Sequence, residues 1–130
     1  MLRALLVAAA LAPAFAAACD VPPGYVRVES KVVIVAYRVD PAPLTLGRHF
    51  AVDSIVCAVG AGFAPTGLRV DAQMPEHRHG MNYRAKVTNL GGGKFRAEGL
   101  LFHMPGRWQF VFDVEGKGRT ERLTHDVMLD

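Results

Sequence analysis

The sequence predicts an all-β protein, an immunoglobulin-like antiparallel β-sandwich of about seven strands preceded by a signal peptide. Three observations support this. Runs rich in β-branched and aromatic residues recur at short intervals, separated by Gly and Pro. Within the runs, apolar residues alternate with a period of two, as side chains of a half-buried strand must. After the N-terminal leader, no segment holds a helical apolar period for three turns.

The leader is "MLRALLVAAALAPAFAAAC". One early charge, Arg3, precedes an apolar run from Ala4 to Leu11. Small residues then offer cleavage sites at Ala14-Phe15-Ala16 or Ala16-Ala17-Ala18. The run is short for a membrane span, which needs about 20 residues. Cleavage before Cys19 leaves 112 residues and lowers the formal charge from +3 to +2. No Lys/Arg cluster tracks one face, which argues against nucleic acid. The chain therefore divides into a signal peptide (1–18), a connector with the first strand or strands (19–44), and the body of one sandwich (45–130).

Cys19 and Cys57 make an even count in an exported chain, which suggests one disulfide. Such a link would stabilise by roughly 3–4 kcal/mol on the chain-entropy model. The competing assignment is a membrane-anchored lipoprotein, because "AAAC" ends the leader. Ala16 stands where a lipid-attachment motif usually has a larger aliphatic residue.

The strands follow in order. "DVPPGY" is a connector, and "YVRVESKVVIVAYRV" (25–39) reads as the first extended run, broken by "PAPLTLG". "RHFAVDSIVCAV" (48–59) is the second, closed by "GAGFAPTG", and "LRVDAQM" (68–74) is the third. "YRAKVTNL" (83–90) and "KFRAEGLLF" (94–102) flank "GGG", which reads as a hairpin turn. "RWQFVFDV" (107–114) puts Trp108, Phe110, Phe112 and Val114 on one face and Gln109 and Asp113 on the other. "EGKG" then turns the chain into "RTERLTHDVML" (119–129), where Leu123, Val127 and Leu129 share a face.

The chemistry-bearing stretch is "MPEHRHGMNY". Pro75 and Gly80 bracket the histidines, so the segment reads as a loop or a strand end. If extended, it would project His77 and His79 to one side. Two imidazoles with Met74 and Met81 beside them suit copper, since imidazole binds Cu(II) and thioether prefers Cu(I). A second cluster, "LFHMPGRW", adds His103 and Met104, and one end of a sandwich can bring the two clusters together. Zinc sites more often use thiolates or carboxylates beside histidine. The plainer assignment is a solvated polar loop, with Met residues plugging the end of a β-core. His49 and His125 stand alone and read as structural.

Enzymatic signatures are absent. There is no GxSxG, phosphate loop or HExxH, and neither cysteine has a local activating partner. His49, Asp53 and Ser54 share a strand on which neighbours alternate faces, which makes a poor triad.

"MPEHRHGM" followed by "VTNLGGGKFRAEGLLFHMPGRWQFVFDV" resembles the YtkA-like domain of small exported bacterial proteins. Its usual pattern is MPxHxHGM/L, a Gly-rich hairpin, Y/F-x-x-EG and F-x-MPGxW. The resemblance covers about residues 45–128. It implies an immunoglobulin-like sandwich in the periplasm or envelope and an association with copper handling, as in the similar copper-resistance sandwich proteins and cytochrome oxidase assembly factors. The matching positions are Met74, His77, His79, Gly80, Met81, Met104, Pro105, Gly106 and Trp108, while His103 falls at a variable one. Arg78 stands where the pattern often has glycine, and its charge opposes cation binding.

The expected function is thus an exported copper-binding protein, not an enzyme, that delivers or buffers copper as Cu(I) or Cu(II). Its partner would be an envelope protein such as an oxidase-assembly or copper-transport component. The alternative is a metal-free sandwich module that presents an edge or a loop to an envelope protein.

Overall fold

A computed structural model describes residues 19–130, and the signal peptide assigned to residues 1–18 lies outside them. The described chain is all β: β1 (Val26–Glu29), β2 (Val33–Asp40), β3 (Phe50–Ala58), β4 (Pro65–Met74), β5 (His79–Gly80), β6 (Lys86–Gly91), β7 (Lys94–Leu100), β8 (Gly106–Gly116) and β9 (Arg119–Leu129). They form two antiparallel sheets, ordered β1-β2-β3-β7-β6 and β5-β4-β8-β9. Setting β1 aside, β2 to β9 reproduce the A-B-E-D and C′-C-F-G neighbours of an immunoglobulin sandwich. The antibody hallmarks are missing: Trp108 lies on the F-like strand, and the disulfide ties the N-terminal arm to β3.

The described residues hold nine strands where about seven are expected, for two local reasons. The run 25–39 is not one strand but the hairpin β1–β2. Its turn contains neither Gly nor Pro. Instead, the Ser30 hydroxyl accepts the Val32 and Val33 amides, both at 3.2 Å, and adds to the backbone bond from the Ser30 amide to the Val33 carbonyl at 2.9 Å. The other addition is β5, two residues long, which pairs with the end of β4. The remaining hairpins follow their glycines. Gly92 and Gly93, with φ of 63° and 78°, turn β6 into β7. A Cβ on Gly93 would stand 2.5 Å from the Val56 carbonyl oxygen, so the close approach of turn and strand also requires glycine.

The period-two pattern decides what enters the core. Leu68, Val70, Ala72 and Met74 of β4 are buried, as are Trp108, Phe110, Phe112 and Val114 of β8. Across the sheets they meet Val33, Val35 and Tyr37 of β2 and Phe50 and Val52 of β3. Cys19 and Cys57 are bonded, with Cα atoms 5.8 Å apart. The sulfur that a lipid anchor would use is therefore in the disulfide. The bond is consistent with an oxidising, exported compartment. Among the described residues, no helix is long and apolar enough to cross a membrane.

Candidate metal centre

Two connections meet at one end of the sandwich. The first leaves β4 after Met74, turns through 75–78 and enters β5 at His79. The second runs from the end of β7 at Leu100 to Gly106, where β8 begins. β4 and β8 are hydrogen-bonded neighbours, with Gln73 opposite Gln109, so the end of β4 lies beside the start of β8.

His77 and His79 are not presented by an extended segment. The His77 amide bonds to the Met74 carbonyl at 3.1 Å, closing a turn. Arg78 then takes a left-handed conformation, φ 55°, which is costly for a residue with a Cβ. The two rings nevertheless stack, with centroids 5.7 Å apart and planes at 30°. On its other side His79 meets His103, at 5.4 Å and 34°. His79 thus stands between the other two. Trp108 backs the row edge-on, 6.3 Å from His79 and 5.5 Å from His103. Its indole N–H donates to the Met104 carbonyl at 2.9 Å, which fastens the second loop to β8.

The nitrogens differ in their engagement. His79 Nδ1 lies 3.0 Å from the Gly80 carbonyl oxygen. A carbonyl only accepts, so in the neutral ring Nδ1 carries the proton and Nε2 holds the lone pair. Ring nitrogens tied to a carbonyl in this way are the usual support for a metal-binding histidine. His103 Nδ1 is buried without a hydrogen-bond partner. An orphaned buried nitrogen costs about 1–3 kcal/mol, and a ligand relieves that cost.

Separation and orientation give different answers about one shared ion. A ring nitrogen binds a transition metal at about 2.0–2.1 Å, so two rings on one ion have centroids no more than about 6 Å apart. Both neighbouring pairs satisfy this. The near-parallel planes do not, because stacked rings aim their faces, not their nitrogens, at each other. Among the described residues, no three His, Cys, Asp or Glu side chains converge on one point as placed. Bringing their nitrogens onto one point would require the rings to rotate. His77 is exposed and free to do so, while His79 and His103 are half-buried.

The thioethers separate by burial. Met74 is a core side chain, 1% exposed, and a Cβ at Gly106 would stand 3.2 Å from its Cε. Gly106, at φ 120°, is a position where glycine alone is unstrained. Met81 and Met104 are half-buried against the core and keep part of their surface free. Gly80 pairs with Gln73, and Pro105 is exposed in the turn before β8. The lone histidines have aromatic partners elsewhere: His49 packs edge-on against Tyr83 at 5.1 Å, and His125 Nδ1 is 2.6 Å from the Tyr37 hydroxyl. Glu76, within the turn, is held by Arg107 at 3.0 Å, and Arg107 also grips Asp126 at 2.7 Å.

A solved structure of a DUF4426 family protein from Pseudomonas aeruginosa PAO1 is similar to this chain, with a TM-score of 0.50 and 12% identity. The likeness covers 82% of this chain and 97% of that one. At such identity it shows the fold alone, a small β-rich domain. Neither the protein-family models nor the curated proteins give a match.

Proposed function

We propose that this protein is an exported copper-binding protein of the periplasm or envelope, of YtkA-like type, that delivers or buffers copper and is not an enzyme. His77, His79 and His103 supply imidazoles, and Met81 or Met104 supplies a thioether that favours the cuprous state. Met74 supports the site from the core. The observation that carries the reading is the position of His79, within 5.7 Å of His77 and 5.4 Å of His103, with Nδ1 tied to a carbonyl and Nε2 free. The paired motifs MPEHRHGM and FHMPGRW add support, since the fold brings their histidines together. Native mass spectrometry with Cu(I) and Cu(II) tests it. One copper per chain is expected, lost in the His77→Ala/His79→Ala variant. Undiminished uptake by that variant refutes the site.

One observation favours the metal-free interaction module as a second reading. β6 and β9 are outer strands of their sheets, and they expose Leu90 (61%) and Met128 (68%). A stable complex with an envelope protein that survives both histidine substitutions would support it.

A further inference from the structure

We propose that the slot between the sheets on the β1–β9 side is a binding site for a small uncharged molecule, one with an apolar body and a single hydrogen-bond acceptor, such as an aryl ketone. β1 ends one sheet, β9 ends the other, and the two edges lie side by side. Between them is a cavity of about 360 Å³, lined chiefly by Val26, Tyr37, Leu44, Phe110, His125 and Val127. That volume is within the range of small-molecule sites.

The slot is a place where the sandwich is not sealed. Val26 lies opposite Tyr37 in the β1–β2 ladder, so both side chains face the other sheet. Tyr37 is 2% exposed, but Val26 is 40% exposed. An inward-facing valine left in water gives an apolar ligand surface to cover.

The polar groups define the rest of the ligand. The Tyr37 hydroxyl and His125 Nδ1, 2.6 Å apart, share one proton. Burial pushes the tyrosine pKa up, which keeps the hydroxyl protonated. The hydroxyl has no other partner among the described residues, so donation from oxygen to Nδ1 is the arrangement that leaves neither group orphaned. His125 then carries its own proton on Nε2, and as a residue lining the slot it can offer that donor to an acceptor on the ligand. Neither an acid nor a lysine lines the slot. Its one charged residue, Arg38, is taken up by Asp53 at 3.2 Å and by the Tyr25 ring at 5.4 Å. A neutral body therefore fits better than a charged one.

The test uses the disulfide-bonded protein, with hexanophenone as probe and amide NMR shifts as readout. Saturable shifts are expected in β1, β2 and β9, and hexylbenzene, which lacks the acceptor, should bind at least about fivefold more weakly. 5-Phenylpentanoate should also bind more weakly. Ala42→Trp, at an exposed position on the rim, should abolish the shifts and leave the rest of the spectrum intact. His125→Phe should erase the preference for ketone over hydrocarbon. The proposal is overturned by an absence of saturable shifts up to the solubility limit, by shifts confined to other strands, or by binding that survives Ala42→Trp. Equal affinity for the ketone and either comparator overturns the assigned ligand class.

Discussion

Replacing Trp108 tests the core and the support of the histidine row together. Trp108 is fully buried, stacks on Phe102 at 4.3 Å with planes at 5°, and bonds the Met104 carbonyl. A buried aromatic side chain removes about 150–250 Å² from water. At about 25 cal/mol per Å² this amounts to about 4–6 kcal/mol. Alanine keeps a small part of that area, so Trp108→Ala should cost about 3–5 kcal/mol, with the lost hydrogen bond placing it in the upper half. Trp108→Phe keeps the stack on Phe102 and loses the hydrogen bond and part of the volume, for about 1–2 kcal/mol. A domain of this size has about 5–15 kcal/mol in total, so the alanine variant can approach global unfolding while the phenylalanine variant stays folded. Urea melts followed by far-UV circular dichroism measure both, because Trp108 is the only tryptophan and the variants have no indole signal. A loss below about 1 kcal/mol for Trp108→Ala refutes the placement of this ring in the core. A larger loss for Phe than for Ala refutes the reasoning from area.

Three further outcomes are expected. The His77→Ala/His79→Ala variant should lose copper in native mass spectrometry while its metal-free melting temperature stays close to the parent's, since His77 is exposed and neither ring is in the core; His49→Ala and His125→Ala should still take up one copper. Reduction should make the protein two hydrogens heavier by intact mass and, for a separation of 38 residues, lower its stability by about 4 kcal/mol; an unchanged urea midpoint would count against a stabilising bridge. Asp113 is held below the usual carboxylate range chiefly by its hydrogen bonds from Arg122, at 2.7 and 2.8 Å. A lowered folded pKa stabilises above the unfolded value of about 4 and the contribution is lost as pH falls below it, so Asp113→Asn should flatten the acid limb of the stability curve, and a parallel limb would contradict this.

Local chemistry was legible in the chain. Alternating residues fixed which faces of β4 and β8 enter the core, because a strand has only two faces and one must leave water. The glycines announced the turns at Gly92–Gly93 and Gly118, where φ is positive. Two cysteines, an even count behind a leader-like N-terminal stretch, indicated the Cys19–Cys57 bond. The hairpin at Ser30 was also written locally, in the polar run Glu29-Ser30-Lys31 between valines, but in side-chain chemistry instead of Gly or Pro. β5 left no such mark, since two residues carry no period.

Tertiary structure decided what depends on distance across the sandwich. Met74 and Met81 look equivalent in "MPEHRHGM", yet strand phase puts the first in the core and leaves the second half-exposed. His103 is 24 residues from His79 in the chain. It reaches that ring because β4 and β8 pair and the Trp108–Met104 hydrogen bond holds its loop. The pairing of Tyr37 with His125 across the two sheets had no signal at all in the sequence. Periodicity reports how each residue stands to its own strand, whereas a site is made of residues from strands that become neighbours only when the sheets close.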